Sequence, residues 1–468
     1  MTIVIGILLI VGFVLIATEK LTNVNKSAVA IFIGTLAWIL YIMNGAEYVL
    51  SQHPAEYAAF LDGITSTSAT VKQFIAQNIF LKYVGKASEI VLFLLATMTI
   101  VEILQNNGCF DFITQLMRTH SSKRLLWIVS VVTFIISANL ENLTTTVMML
   151  TMLHGIVRTR RQRMLYGCAV VISANCGGAL TVIGDPTGLV LWNSGAVTAT
   201  DFSMSLALPC LMAWMLPVWW IGRMLPDRAD TEWITLPYRG DDTRLNVWQR
   251  FIMLIVGIGG LWFIPTFHNI TKLSPFLGAL CVLSVLWIVN EVVNRKLLQS
   301  EDMAQRRIPR VLQYGVIQMI LFVMGIILVM GVVRETGIMA TMSEVMDNHI
   351  QNVWITGLVT GAISSVLDNF ATAMTMISMR DNVLFGLHSA ADISYFSQYM
   401  QSGIYWKVVA YASAVGGNVL CTSSMSGLAL MKMERMRFGW FFRNVGWKAL
   451  VGAAAGFAFM FLAFWLSA

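Results

Sequence analysis

Two short motifs in this chain place an acid, an asparagine and a threonine inside long apolar stretches. The first motif is NLENLTT, from Asn139 to Thr145, and the second is VLDNFAT, from Val366 to Thr372. Their acids are Glu141 and Asp368. A carboxylate is costly to bury at membrane depth, so its presence there indicates an ion or proton pathway. Two such motifs in matching parts of one chain predict a transporter built from internal repeats.

A third acid, Asp185, lies in the sequence IGDPTG, where glycine and proline predict a helix that is broken inside the membrane. The residues around the three acids offer oxygen ligands, which hard cations such as sodium require. Isolated serine, threonine and asparagine side chains in membranes often bond only a backbone carbonyl, so the acids carry most of this prediction. The candidate ion-binding and proton-coupling residues are Glu141, Asn142, Thr144, Thr145, Asn175, Asp185, Thr187, Ser364, Asp368, Asn369, Thr372, Ser423 and Ser424.

The composition is that of a polytopic membrane protein. Hydrophobic residues make up 57% of the 468 residues and charged residues 12%, and the mean hydropathy is +0.71. The net charge of +6 comes from Lys and Arg in short loops between apolar runs, where they act as topology signals, so a nucleic-acid partner is excluded. The six cysteines lack CxxC spacing and are expected to be packing residues rather than disulfides or zinc ligands. The apolar N-terminus has no cleavage pattern and predicts a retained first helix.

The apolar segments predict two repeats joined by a polar linker. Segment 125–157 is too long and too polar for one helix, and basic residues flank both of its ends. Positive charge favours the cytoplasm, so this segment is predicted to be a re-entrant hairpin. The equivalent hairpin in the second half has acidic or weakly charged flanks, which predicts the opposite orientation and therefore inverted repeats. The predicted organisation is a first repeat at 1–225 with its hairpin at 125–157 and broken helix at 164–197, a linker at 226–250, and a second repeat at 251–468 with its hairpin at 353–379 and broken helix at 404–431.

Local similarities support the pairing of the halves. The segment Glu89–Gly108 aligns with Gln318–Gly337, and the glycine pair at 177–178 aligns with the pair at 416–417. The second alignment places Asp185 opposite Ser424. Two further acids, Glu89 and Glu102, are predicted near the ends of one helix, where interfacial water explains them as well as a proton path does. His154 is predicted to be a packed core histidine.

Four motifs together resemble one known family. The sequences ISANLENLTT, ANCGGALTVIGDPT, SSVLDNFAT and AVGGN resemble the NhaD-type sodium/proton antiporters of the ion transporter superfamily, whose wider members include arsenite and citrate permeases. The resemblance extends from about Ala17 to the last helix. It implies a multi-pass antiporter of the bacterial inner membrane that exports sodium or lithium in exchange for protons by alternating access, with no cofactor and with a homodimer as one arrangement. The family's site residues correspond to Asn142, Thr144, Thr145, Asn175, Asp185, Thr187, Ser364, Asp368 and Asn369.

The chain departs from the family pattern at two places. Glu141 stands where an aspartate is expected, and Pro186, Thr187 and Gly188 follow Asp185 where a run of threonines is usual. Both changes keep the charge and alter the ligand geometry.

A second function remains open on the same scaffold, namely a coupled permease for an anion such as a carboxylate or arsenite. That function requires neutral or positive hairpin tips, with helix N-termini facing the anion. Three central carboxylates would repel an anion, so the sequence favours the antiporter. A passive channel does not explain the duplicated broken elements.

Overall fold

The computed structural model describes residues 1–22, 24–231, 245–294, 314–380 and 397–467, and these residues form an all-α membrane protein. Within these ranges, eight helical segments are long and apolar enough to cross a membrane, and Thr2–Ala17 and Val353–Val366 are shorter apolar helices. A bilayer offers no water to backbone groups, so helices that satisfy their own hydrogen bonds are the expected element. The predicted fold class, an all-α polytopic membrane protein, is confirmed.

The first half contains both long helices and several short ones. Its helices are α1 (Thr2–Ala17), α2 (Glu19–Thr22), α3 (Lys26–Met43), α4 (Gly45–Gln52), α5 (Pro54–Leu61), α6 (Ser68–Phe74), α7 (Leu81–Asn106), α8 (Asp111–Leu116), α9 (Ser122–Ser137), α10 (Asn142–Ile156), α11 (Arg160–Gly178), α12 (Pro186–Asn193) and α13 (Ala199–Gly222). A π-helical turn at Ile75–Phe80 joins α6 to α7, so the helical path from Ser68 to Asn106 is continuous.

The second half has a similar order of long, paired and broken helices. Its helices are α14 (Val247–Leu254), α15 (Gly260–Thr271), α16 (Pro275–Val293), α17 (Tyr314–Glu335), α18 (Ile338–His349), α19 (Val353–Val366), α20 (Asn369–Ser378), α21 (Ile404–Leu420), α22 (Met425–Met433), α23 (Phe438–Phe441) and α24 (Trp447–Ser467). Two further π-helical turns, Ile255–Gly259 and Phe442–Gly446, join α14 to α15 and α23 to α24.

Each predicted hairpin consists of two short helices. Helices α9 and α10 have 16 and 15 residues, and α19 and α20 have 14 and 10 residues. A membrane span needs roughly 20 residues, so no single arm is long enough to cross a bilayer. This observation supports the predicted hairpins, and their re-entry into the membrane stays a prediction. The predicted broken helices are likewise interrupted, between Gly178 and Pro186 and between Leu420 and Met425.

In each half, a glycine brings the broken helix against the first arm of the hairpin. A Cβ added to Gly177 of α11 would lie 2.3 Å from the carbonyl oxygen of Phe134 in α9. A Cβ added to Gly416 of α21 would lie 2.7 Å from the carbonyl oxygen of Gly361 in α19. Small residues allow such close approach of membrane helices. The paired glycines therefore have the same packing role in both halves, which supports the predicted repeats.

Helices α3 and α17 form a close parallel pair beside the hairpins. The Ser27 hydroxyl donates to the carbonyl oxygen of Gln318 at 2.6 Å, and the Trp38 indole donates to the carbonyl oxygen of Leu328 at 3.1 Å. A Cβ added to Gly325 would lie 2.7 Å from the backbone of Ala30. These contacts place Lys26, the first residue of α3, beside a cavity between the two halves.

The structure corrects two predictions about single residues. Glu89 lies two turns inside α7, not at a helix end, because the helix starts at Leu81 and is preceded by a π-helical turn. There it accepts a hydrogen bond of 2.6 Å from the Asn193 amide. His154 is not a core histidine, since its side chain is 57% exposed and its ring lies 3.3 Å from Glu434. It occupies the last turn of α10, where the helix reaches the basic loop.

The predicted inverted orientation can be tested by cysteine labelling. Arg161, beside the first hairpin, and Gln401, before α21, are both exposed. We expect an impermeant thiol reagent to label Arg161→Cys only from the cytoplasmic face and Gln401→Cys only from the opposite face. The background needs Cys281→Ser, since Cys281 is exposed and the other five cysteines are buried. Labelling of both positions from the same face would contradict the inverted topology.

Candidate ion-binding site

Two of the three predicted acids line one cavity between the halves. Asp185 precedes α12 of the first half and Asp368 precedes α20 of the second half, and each is 3% exposed. The cavity is small and partly open. Its lining consists of Asn142, Asp185, Pro186, Met319, Phe322, Val323, Asp368, Asn369, Phe370 and Met425. Four polar side chains therefore face an otherwise apolar space.

All three acids cap the N-termini of helices. The Asp185 carboxylate accepts a hydrogen bond from the backbone N–H of Thr187 at 2.8 Å. The Asp368 carboxylate accepts one from the backbone N–H of Phe370 at 3.0 Å. Aspartate is favoured as an N-cap because it satisfies a free backbone donor, and the helix dipole stabilises its negative charge. The sequence around each break thus places a stabilised carboxylate inside the protein.

A fourth helix at the breaks, α22, is capped by a neutral residue. Ser424 precedes α22, and its hydroxyl accepts a hydrogen bond from the backbone N–H of Gly427 at 3.0 Å. Ser424 therefore has the same structural position as Asp185, as their sequence alignment predicts. The two broken helices differ in that only the first carries a charge at its cap.

Glu141 lies outside the cavity lining. Its two carboxylate oxygens accept hydrogen bonds from the backbone N–H groups of Leu143 at 2.9 Å and Thr144 at 2.8 Å. The Thr144 hydroxyl donates to the same carboxylate at 3.2 Å. The structure thus brings Asp185 and Asp368 together and leaves Glu141, which is 3% exposed, at the start of α10.

The remaining oxygens of the two cavity aspartates have different partners. The Asn142 amide donates to Oδ2 of Asp185 at 2.9 Å. Oδ2 of Asp368 instead forms a buried ion pair with Nζ of Lys26, the first residue of α3. Asp185 therefore has a neutral partner, whereas the charge of Asp368 is compensated by an ammonium group.

The two predicted asparagines of the first half connect the cavity to the second broken helix. The Asn142 amide also lies 3.4 Å from the side-chain oxygen of Asn175. The Asn175 amide donates to the side-chain oxygen of Asn418 in α21 at 2.8 Å. This chain of amides joins both halves beside the aspartates. Asn369, whose side chain accepts from the N–H of Phe370 at 3.0 Å, completes the polar lining.

Three predicted hydroxyls bond only backbone carbonyls. Ser364 donates to Ser413 at 2.6 Å, Thr372 donates to Asp368 at 3.0 Å, and Ser423 donates to Gly417 at 3.2 Å. These bonds fix the hairpin and the breaks in position. Their geometry is the ordinary structural role of such residues in membrane helices.

Two predicted hydroxyls are buried without a hydrogen-bond partner among the described residues. These are Thr145 Oγ1 in α10 and Thr187 Oγ1 in α12. Buried polar atoms are nearly always hydrogen-bonded, and an unpaired one indicates a place for water or an ion. Both hydroxyls lie in the first turns of the helices that Glu141 and Asp185 cap, and neither residue is part of the cavity lining.

The sequence pattern did not indicate Lys26 as a residue of the site. A lysine at the start of an apolar segment normally indicates the edge of a span, and the partner of Lys26 is 342 residues away in the chain. The signal available in the sequence is weak, because only Asn25 and Ser27 beside it suggest a helix start. Asn25 does cap α3 by accepting from the N–H of Ser27 at 2.8 Å.

The role of Glu141 can be tested by changing its charge and its length separately. We expect Glu141→Asp to retain exchange with altered sodium preference, since the shorter acid keeps the charge and the helix cap. Glu141→Gln keeps the length and one acceptor oxygen but cannot release a proton, so we expect it to lose exchange. Sodium-dependent proton movement in vesicles measures both. Full activity of Glu141→Gln would show that this residue serves only as a helix cap.

Comparison with known proteins places the chain in a family. A family model described as citrate transporter matches residues 13–416. Sodium/proton antiporter 2 of Arabidopsis thaliana is 28% identical over 451 residues, which cover 95% of this chain and 96% of that protein. The Na(+)/H(+) antiporter NhaD of Vibrio parahaemolyticus is 24% identical over 457 residues, which cover 93% of this chain and 98% of that protein. These relatives agree with the resemblance that the motifs indicate. Because the family model spans most of its length, the chain belongs to the citrate transporter family and, within it, is similar to the NhaD-type antiporters.

Proposed function

We propose that this protein is a secondary active transporter that exchanges sodium for protons. The observation that carries the proposal is that two buried aspartates from different halves, Asp185 and Asp368, line one cavity. A carboxylate can bind either a proton or a cation, so a pair of them facing one space can exchange the two. The relatives named sodium/proton antiporters support this function.

In the proposed mechanism, sodium binds beside Asp185. Helix dipoles and backbone N–H groups stabilise the carboxylate charge while the cavity is empty. The side-chain oxygen of Asn142, which lines the cavity, supplies a neutral oxygen ligand, as a hard cation requires. The buried hydroxyls of Thr145 and Thr187, in the first turns of α10 and α12, are further candidates. A proton that binds the same carboxylate removes its charge and weakens its hold on sodium. Binding of one therefore favours release of the other.

The helix caps argue against an anion as the substrate. An anion permease uses free backbone N–H groups at helix N-termini to bind its substrate. In this protein the N-termini of α10, α12 and α20 are already occupied by Glu141, Asp185 and Asp368. The family description as a citrate transporter therefore does not favour citrate as the substrate of this chain.

The proposal includes the repeat organisation and the setting. We propose inverted repeats at 1–225 and 251–468 that alternate access to the cavity, with lithium as a second transported cation. The proposed location is the bacterial inner membrane, which the NhaD resemblance implies, although two of the relatives come from a plant. A homodimer is part of the same proposal. No element of the exchange requires a cofactor.

The experiment that tests the function uses purified protein in vesicles that are acidic inside and contain a pH-sensitive dye. We expect external sodium or lithium to raise the internal pH, and potassium, citrate and arsenite to leave it unchanged. Vesicles with Asp185→Asn protein serve as the matched control for passive leak. A response to citrate or arsenite, without a response to sodium, would replace the antiporter with the permease.

A further inference from the structure

Lys26 is a buried lysine that the exchange mechanism above does not use. Its exposed fraction is 4%, and its ammonium group forms the ion pair with Asp368. The same ammonium lies over the ring of Phe322, 4.7 Å from its centroid. Both Asp368 and Phe322 line the cavity. The lysine is therefore in direct contact with two residues of the cavity lining.

The ion pair occupies the oxygen that a transported cation would use. Oδ1 of Asp368 accepts from the N–H groups of Phe370 at 3.0 Å and Ala371 at 3.4 Å, so it is committed to the helix cap. Oδ2 faces Lys26. A sodium ion that binds at Oδ2 is repelled by the ammonium charge beside it, so the two cations compete for this oxygen. Within the part of the chain that the structure describes, the partner of Asp185 Oδ2 is the neutral Asn142 amide and not a cation.

We propose that Lys26 is a tethered cation that competes with transported sodium for Oδ2 of Asp368. This inference rests on the proposed function, in which sodium is the substrate. With the ammonium in place, sodium has the single carboxylate of Asp185 and is held weakly. When Lys26 is displaced, sodium gains the second carboxylate and is held tightly. The return of the ammonium group then assists release, so Lys26 sets sodium affinity and specificity.

The fold anchors the backbone of Lys26, so that its ammonium group competes from a defined place. Lys26 is the first residue of α3, and α3 is held against α17 by the bond from Ser27 to Gln318 and by the close approach at Gly325. Phe322, on the same α17, attracts the ammonium through its ring face. The lysine backbone is thus anchored, and the motion required for competition is confined to a flexible side chain of four methylene groups.

The test is the effect of sodium on thermal unfolding of purified protein. Sodium is compared with choline at constant ionic strength and pH, for the native chain and for Lys26→Met, Lys26→Arg and the double variant Lys26→Met/Asp368→Asn. Lys26→Met leaves Asp368 without a cation, which destabilises a buried site. We expect sodium to restore the stability of Lys26→Met, with half-maximal effect at a concentration about tenfold or more below that of the native chain. Lys26→Arg keeps the charge and is expected to show no such gain.

The double variant separates competition from a purely structural ion pair. It removes both charges, so we expect it to fold without the extra sodium effect. Equal destabilisation of Lys26→Met in sodium and in choline would overturn the proposal. Failure to recover folded Lys26→Met in sodium, while the double variant is recovered, would overturn it as well. These results do not depend on transport, so they are distinguishable from the failure of sodium/proton exchange in vesicles of the native chain.

Discussion

Asp185→Asn is expected to abolish sodium-induced proton release while the protein still folds. The amide keeps an acceptor oxygen for the N–H of Thr187 and is cheaper to bury than an ionised acid, but it cannot exchange a proton for sodium. Asp368→Asn is expected to abolish release too, and also to lower the free energy of unfolding by roughly 3–5 kcal/mol, because it leaves the Lys26 ammonium buried and unpaired. Glu47→Gln, which removes an exposed carboxylate, is the matched control.

The same measurement gives the pH dependence. If sodium and protons compete for one carboxylate, each tenfold fall in proton concentration lowers the apparent dissociation constant of sodium by up to about tenfold. This corresponds to about 1.4 kcal/mol of sodium-binding free energy per linked proton. The dependence ends at high pH, where the carboxylates are fully ionised. Proton release is followed on adding sodium to detergent-purified protein across a pH series. An apparent sodium dissociation constant that does not vary with pH in the native chain would contradict competition between sodium and protons.

Gly325→Ala is expected to lower the free energy of unfolding by about 1–3 kcal/mol, the range for overpacking a close contact. Its added Cβ would lie 2.7 Å from the carbonyl carbon of Ala30 and 2.8 Å from the backbone nitrogen of Ile31, and backbone cannot move aside as a side chain can. The two helices must separate, which also moves Lys26 away from Asp368. Thermal unfolding in detergent measures the change.

Gly85→Ala is the control for Gly325→Ala. Gly85 lies within α7, and an added Cβ there would have nothing within 4 Å. Alanine is the better helix former, so this change is expected to be neutral or to stabilise the protein by up to about 1 kcal/mol. If both variants lost the same stability, the close approach of α3 and α17 would not be the cause.

The sequence predicts those features that depend on local pattern. Helix α16 spans Pro275–Val293, because proline at its start and an uninterrupted apolar run define it in the sequence itself. The breaks at Asp185 and at Ser424 follow from glycine, proline and capping residues nearby. In each case the residues that decide the structure are within a few positions of each other.

Features that depend on distant contacts could not be predicted in this way. The burial of Lys26 requires Asp368, and the connection from Asn175 to Asn418 requires both halves to be folded. The segment from Asn44 to Lys86 lacks a continuous apolar run, yet it forms α4, α5, α6 and the start of α7. It packs through the rings of Tyr41 and Tyr48, 5.0 Å apart, and of Tyr57 and Phe74, 5.3 Å apart. Aromatic side chains separated by a turn or a loop carry no periodic signal.

The glycine contacts of the two broken helices affect how fast the protein can work. At Gly177 and at Gly416 the backbone of a broken helix rests directly on the backbone of a hairpin arm, with no side chain between them that could rearrange. Separating these surfaces would leave an empty space, so each hairpin and its broken helix are expected to move together. Turnover is then governed by the reorientation of whole units against the surrounding lipid, and it is expected to slow as membrane viscosity rises.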